Sequence, residues 1–417
     1  MKKFTNVEVA KINLANLALG LDKEVFEKRL NFSMNSVYEA IDNMVDVSER
    51  LQALSALKCL KEAENGVFNT PCWFDENSSM FILEGCITRD IATLEYVGVG
   101  CDKPQRTYKK LETAWREDCA KAGVETDEVE DFKHEAAIPY GYAGEMCAKR
   151  ALGKKGFKVF EETFAKALPS CSLYRKACLE AWNGKALAYT WETPDGYQVV
   201  TPVLGDAHEF EVSLPKMTIK YSLKENEPRP TYIECKDEYG ETTFRRNGGT
   251  RALGANVIHS MDKYVLMEIV RRCDMTKGRA LDILEKCKNS KETIKGYHPE
   301  LERLEDCTME MGIVSARWFY LLENEPVQLS NSLMEALTRL ANTLGNKSFE
   351  LMVIHDAFGC TANHVNYLRR TANQVFADIY AGDMMKYFSR QLGINVPVAK
   401  FDKAVYEAIL DSDYLVH

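Results

Sequence analysis

The stretch Phe349-Glu350-Leu351-Met352-Val353-Ile354-His355-Asp356-Ala357-Phe358-Gly359 constrains the fold more than any other part of the chain. Leu351 to Ile354 is a continuous apolar run with β-branched residues, the composition of a buried strand. The run ends in His-Asp, and Gly359 then lets the chain turn back. A carboxylate at the tip of a buried strand must be ion-paired, hydrogen-bonded or bound to metal, because leaving it bare is costly. A similar setting occurs upstream, in Pro71-Cys72-Trp73-Phe74-Asp75-Glu76-Asn77-Ser78-Ser79-Met80. There a short aromatic strand delivers Asp75 and Glu76, and Ser78 or Ser79 can cap a helix that begins near Met80. Taken singly, Asp75 reads as a cap and Asp356 as a turn residue. Their shared setting is what suggests a site.

The rest of the composition limits the function classes. A chain of 417 residues can bury a large core, divided into two or three subdomains. Its formal charge of −9 does not suit a generic DNA-coating protein, although a local positive groove would still serve a nucleic-acid enzyme. The thirteen cysteines are scattered and include no Cys-x-x-Cys pair, which suits reduced thiols in a cytoplasm. Met1-Lys2-Lys3-Phe4 leads into no apolar signal core, and no eighteen apolar residues run together, so neither secretion nor a membrane span is expected.

In chain order, residues 1–70 read as a helical lead-in, with apolar positions at three- and four-residue intervals in Val25–Ile41 and Val45–Leu60. Residues 71–100 hold the first acidic strand and its helix. Residues 101–190 are helical and strongly charged. They include Lys133-His134-Glu135-Ala136-Ala137-Ile138-Pro139-Tyr140-Gly141-Tyr142, poor company for a plain surface helix. A basic cluster follows at Lys149, Arg150, Lys154, Lys155 and Lys158. Residues 191–273 open with the hairpin signature Trp191-Glu192-Thr193-Pro194-Asp195-Gly196-Tyr197 and continue as β structure to about Tyr221. Arg245, Arg246 and Arg251 then flank Gly248-Gly249, and Ile258-His259-Ser260-Met261-Asp262 precedes a helix. Residues 274–347 are a helical block without visible chemistry. Residues 348–417 carry the second acidic strand, further helices and the apolar ending Ile409-Leu410-Asp411-Ser412-Asp413-Tyr414-Leu415-Val416, which suggests docking rather than fraying.

Together these segments resemble the single-subunit RNA polymerases of T-odd phages and mitochondria, relatives of the family A DNA polymerases. The Phe74–Leu83 segment is similar to their first palm motif, and Lys133–Gly144 to their fingers motif. Trp191–Tyr197, Ile258–Asp262, His355–Gly359 and Ile409–Tyr414 follow in the family's order. The resemblance implies an α+β, mostly helical fold: a right-hand palm and fingers with an antiparallel palm sheet. It implies DNA-dependent RNA synthesis with two magnesium ions, because nucleotidyl transfer by this family activates a 3′-hydroxyl and holds a triphosphate between two cations. It assigns the ions to Asp75 and Asp356, with the main-chain carbonyl of Glu76 as an added ligand. It further assigns the incoming triphosphate to Lys133, the nascent RNA end to His259, and support of the strand tip to His355. The implied partners are a DNA template, nascent RNA, ribonucleoside triphosphates and a single-stranded-DNA-binding recruitment factor. DNA-synthesising relatives carry a Glu five residues after the metal Asp; here that position is Met80, which favours ribonucleotides.

Three departures accompany the resemblance. The family spaces its Lys and Tyr eight residues apart, whereas Lys133 lies seven before Tyr140 and nine before Tyr142. At about 100° per residue each choice misses by one step, so both tyrosines stand as candidates for sensing the ribose. The Arg usual four residues before the Lys is Val129. Lastly, only about seventy residues precede Asp75, with no Thr/Asp-x-x-Gly-Arg motif among them, so the resemblance is closest to the larger, catalytic chain of a heterodimeric phage RNA polymerase. A smaller chain would supply that motif. The rival readings are a family A-like DNA polymerase or primase, and a non-catalytic nucleic-acid-binding scaffold on a degenerate palm.

Overall fold

A computed structural model describes residues 1–416 apart from 77, 127–128, 206, 215–216, 237–241, 248–251, 297 and 355–356. The fold is mostly helical α+β with small antiparallel sheets. The lead-in is α1 (Asn6–Leu19), α2 (Phe26–Leu30), α3 (Met34–Asn43) and α4 (Val47–Glu64), after which comes β1 (Pro71–Asp75). Next are α5 (Ser79–Thr88), α6 (Ile91–Val97), α7 (Thr107–Lys121), a π turn at Lys133–Ala137, α8 (Ile138–Gly141), α9 (Glu145–Ala167) and α10 (Pro169–Glu180). Three hairpins follow: β2 (Ala188–Glu192) with β3 (Gln198–Pro202), β4 (His208–Leu214) with β5 (Met217–Leu223), and β6 (Tyr232–Lys236) with β7 (Thr242–Arg246). The remainder is α11 (Ala252–Asp274), α12 (Lys277–Lys288), α13 (Pro299–Met311), α14 (Arg317–Asn324), α15 (Asn331–Thr343), β8 (Met352–Ile354), β9 (Ala357–Thr361), α16 (Val365–Ala381), α17 (Met384–Leu392) and α18 (Lys403–Asp411).

The chemistry-bearing sheet has the order β1-β9-β8, all antiparallel, so β9 is its centre. This corrects two expectations. The apolar run ending at Ile354 is a three-residue edge strand with Met352 and Ile354 exposed, because the fully paired position is taken by β9. Gly359 is no turn residue: it sits inside β9 opposite Trp73 in register. A Cβ there would lie 3.0 Å from the Trp73 indole, so glycine is needed for close approach.

Directly after β1 comes α5, and every residue from Met80 to Thr88 on it is buried. A helix that is apolar all round belongs inside a core, and α5 packs against α6, α10, α11 and α16. Ser78 takes the cap position with φ of 59° and makes no side-chain cap hydrogen bond, contrary to the expected capping role. Residues Met275 to Leu344 build a second core of their own, with Trp318, Phe319 and Leu337 fully buried. The two cores are tied by Glu268 on α11, whose carboxylate accepts from the Ser315 hydroxyl at 2.6 Å and the Ala316 N–H at 2.7 Å; Arg272, 2.8 Å from Glu268 and from Asp378, balances its charge.

The chain's ending does dock. Tyr414 stacks on Phe26 with ring centroids 4.6 Å apart, and its hydroxyl accepts the Phe26 N–H at 3.2 Å. Arg369 donates to the Asp413 carbonyl at 2.8 Å and Asn373 to the Ser412 carbonyl at 2.7 Å. The His259 segment, expected ahead of a helix, lies inside α11, where Ser260 accepts the Trp191 indole N–H at 3.0 Å. The hairpin from Trp191 is fixed further by Arg271, 2.7 Å from the Asp195 carboxylate. All thirteen cysteines are free thiols. Among the described residues no helix is long and apolar enough to cross a membrane.

One core residue is out of character. Glu84 on α5 is 1% exposed, and burial raises its carboxyl to about 8, the Cys171 thiol opposing the rise and Asp262 adding to it. The native state therefore holds a proton between pH 4.5 and 8 that the unfolded chain releases, so stability falls as pH climbs through that window. The slope should reach about 1.4 kcal/mol per pH unit. Glu84→Gln should remove it, leaving the variant ahead of the parent at pH 8 and close to it at pH 5 in urea unfolding. A displacement of the same size at both values would contradict this account.

Candidate active-site cleft

A cleft of about 670 Å³ is lined by Asp75, Glu76, Met80, Lys133 and Tyr142, together with Lys23, Arg106, Tyr108 and Lys109. Its geometry begins with the sheet. Asp75 ends β1 directly across from Ala357, the first residue of β9, and Ala357 pairs on its other side with Ile354, the last of β8. His355 and Asp356, the two residues between those strands, lie outside the described residues. Asp75 itself is exposed to the cleft. Glu76 forms an isolated antiparallel bridge with Val416, so the tail is tied to the residue after Asp75.

The Lys133 wall is irregular. Residues Lys133–Ala137 form a single π turn, and only from Ile138 is the helix of α type. A π turn takes up one residue more than an α turn, which changes the phase of everything after it. The two candidate tyrosines part company here. Tyr140 is 1% exposed and does not line the cleft. Its hydroxyl accepts from Arg175 at 2.7 Å, the guanidinium lies 4.1 Å from its ring centroid, and Phe157, Phe160 and Phe164 surround the ring edge-on. Desolvation pushes the Tyr140 phenol well above its ordinary value. Tyr142 is half-buried, lines the cleft, and meets His259 edge-on with centroids 4.8 Å apart. Partial burial holds the His259 imidazole below its ordinary value, favouring the neutral ring.

Lys133 is exposed, with its ammonium 5.3 Å from the Tyr108 ring centroid, and no carboxylate among the described residues lies within 4.0 Å of it. Arg106 and Lys109 bring two more cations, partly balanced by Glu24 at 3.2 Å and Glu112 at 3.0 Å. Arg106, Tyr108 and Lys109, at and just before the start of α7, were not singled out from the sequence. The signal was present in Arg106-Thr107-Tyr108-Lys109-Lys110, a basic and aromatic cluster that general charge in the region obscured. Val129, where the expected Arg is missing, is buried. The basic cluster from Lys149 to Lys158 lies on α9, exposed, outside the cleft lining. Arg245 and Arg246 belong to β7, while Gly248, Gly249 and Arg251 lie outside the described residues.

A magnesium pair fits this donor set in part. Magnesium is held by one or two carboxylates plus substrate phosphates and water, and Asp75 beside several cleft cations offers that combination. Among the described residues no three His, Cys, Asp or Glu side chains converge as a metal cage. The chemistry available is thus recognition of a multiply charged anion by Lys133, Arg106 and Lys109, next to a carboxylate and a stacking-capable aromatic.

The floor under Tyr142 is tight. A Cβ on Gly141 would fall onto Met80 Cε and lie 3.3 Å from Phe81. Gly141→Ala should cost about 1–3 kcal/mol by overpacking. Combined with Met80→Ala, the double variant should lose at least about 1 kcal/mol less than the sum of the singles in urea unfolding. Strict additivity would show that the two sites do not touch.

Compared with protein-family models and with curated proteins, the chain matches none.

Proposed function

We propose that this chain is the catalytic subunit of a DNA-dependent RNA polymerase of the single-subunit type. The observation that carries the reading is the convergence of Asp75, Met80, Lys133 and Tyr142, from separate segments, on one cleft. In this reading β1, β9 and β8 are the palm sheet, residues 101–190 the fingers, and the substrates are a DNA template, nascent RNA and ribonucleoside triphosphates. The π turn supports it further. Nine residues from Lys133 to Tyr142, one of them absorbed by the turn, match the phase of eight on a regular helix.

The reaction is attack of the RNA 3′-hydroxyl oxygen on the α-phosphorus, with the bond to the departing pyrophosphate breaking and the hydroxyl proton leaving to solvent. Magnesium ions held by Asp75 and Asp356 would lower the cost of ionising that hydroxyl and offset charge on the leaving group. Lys133 binds the triphosphate and stabilises the charge that grows on it in the transition state. Arg106 takes over the guanidinium contact that Val129 cannot make. Tyr142 faces the ribose, while His259, held neutral against its ring, orients it toward the RNA end. Met80 leaves room for a 2′-hydroxyl.

A smaller partner chain belongs to the same proposal. Val45, Val47, Leu51 and Leu54 are 96%, 71%, 61% and 43% exposed, an apolar stripe along the start of α4. Exposed Asp46 and Glu49 lie among these residues, and Asp42 is paired with Arg50 at 3.6 Å, so the face suits an apolar patch with basic charge beside it. A single-stranded-DNA-binding factor would bring the assembly to its template in the cytoplasm, that of the host cell if the chain is phage-encoded.

The test uses the chain with the proteins that co-purify with it, on a single-stranded DNA template. Asp75→Asn should cut RNA synthesis by about a thousandfold or more while leaving DNA binding within about twofold. Tyr142→Phe should narrow the preference for ribonucleotides, and Tyr140→Phe should not. Template binding without synthesis by the parent assembly would return the scaffold reading. Efficient use of deoxynucleotides would return the DNA polymerase.

A further inference from the structure

A second cavity, of about 410 Å³, opens where α12 and the end of α15 meet α16. Lys277, Asn342, Tyr367, Arg370, Thr371 and Gln374 line it, and no carboxylate does among the described residues. Arg272 also borders it but is already matched by Glu268 and Asp378. Lys277 and Arg370 differ: no described carboxylate lies within 4.0 Å of either. Two uncompensated cations in a concave polar site focus positive potential there.

The site is also built. The Arg370 guanidinium lies 5.0 Å from the Tyr367 ring centroid, stacked on a ring that cannot swing away. The Tyr367 hydroxyl donates to the Arg272 carbonyl at 3.0 Å and accepts the Gly345 N–H at 2.7 Å. The Lys277 N–H in turn donates to the Gly345 carbonyl at 2.8 Å, placing the first residue of α12 at the rim. The loop packs closely on this ring: a Cβ at Gly345 would lie 3.1 Å from it. Both cations are thus held by the loop that joins the two cores.

We propose that this cavity binds a phosphate group carried on a nucleoside-sized body. Two such cations suit an oxyanion with several acceptor oxygens, which they can bind with charge-assisted hydrogen bonds. The volume far exceeds a bare phosphate and falls at the lower end of small-ligand sites. The phosphate comes from a free nucleotide or from the backbone of a nucleic-acid strand. Bound between Lys277 and Arg370, it ties the 275–344 core to α16. The site lies apart from the Asp75 cleft, and its assignment does not depend on the polymerase reading.

The experiment titrates the intact chain with adenosine monophosphate and, separately, with a short oligo(dT), by calorimetry at fixed salt. Lys277→Ala/Arg370→Ala should weaken one of them about tenfold or more, since two charge-assisted bonds are lost. Loss for the mononucleotide identifies a free-nucleotide site; loss for oligo(dT) alone identifies a strand backbone. Lys133→Ala is the control and should leave this component unchanged, which separates it from binding in the cleft. Arg370→Lys should keep most of the affinity, and Arg370→Ala alone, at an exposed position, serves if the double variant unfolds. A change of less than threefold for both ligands would overturn the proposal.

Discussion

The position of Asp75 is set by the burial of the helix behind it. Phe81, Ile82, Leu83 and Ile87 are each at most 2% exposed, and full burial of such side chains is worth about 1.5–3 kcal/mol apiece. A helix anchored on every face cannot rotate or slide without opening cavities on several neighbours at once. The five residues of β1 enter this helix across a three-residue connection, so the last strand residue has little freedom. Pairing with β9 removes the rest. The same burial explains why Glu84 can persist without its charge: the helix has no exposed face to which the carboxylate could turn.

How far this was legible beforehand depended on whether a feature was local. The aromatic strand before Asp75, the helix after it and the hairpin from Trp191 rest on neighbouring residues, and they form where the pattern put them. Gly359 and the run before His355 were misread for one shared reason. An apolar run marks a strand, but whether it is central or at an edge depends on which strand takes the middle, here β9, which pairs with β1 from nearly three hundred residues earlier. Once β9 lies between β1 and β8, a glycine that looked like a turn becomes the point of close approach to Trp73. His259 was placed ahead of its helix because Gly254 and Ser260 weaken the helical pattern. Both are buried, and packing overrode propensity: a Cβ on Gly254 would meet Cys178 at 3.0 Å.

The choice between Tyr140 and Tyr142 shows what spacing alone omits. Counting at a fixed angle assumes a uniform helix, and the π turn at Lys133–Ala137 breaks that assumption. Nor does the sequence near Tyr140 reveal that Arg175, thirty-five residues on, will claim its hydroxyl. With Arg175 also bound to Glu145 at 2.9 Å, the Tyr140 side is a closed polar network within aromatic packing. The Tyr140 ring is fixed in the core by Phe157, Phe160 and Phe164, and Tyr142, two residues on, lies at the cleft. Tyr140 belongs to the core behind the cleft and does not line it.

Charge follows a similar division. The chain as a whole is acidic, yet both cavities gather cations: Lys23, Arg106, Lys109 and Lys133 in one, Lys277 and Arg370 in the other. Surface carboxylates pair many of the remaining lysines and arginines at i, i+3 or i+4, as in Lys149–Glu145 and Lys288–Glu285. Such exposed pairs contribute little to stability, but they neutralise cations that would compete for an anionic ligand. Lys133, Lys277 and Arg370 have no such partner among the described residues and line concave sites, whose walls focus their potential. Discrimination between specific sites and the general surface can then come from where counter-charges are absent, even in a protein of net negative charge. For a chain read as handling nucleotides, shape then has to add to charge: Lys154, Lys155 and Lys158 also lack a described ion pair, but they lie exposed on α9 outside both cavities.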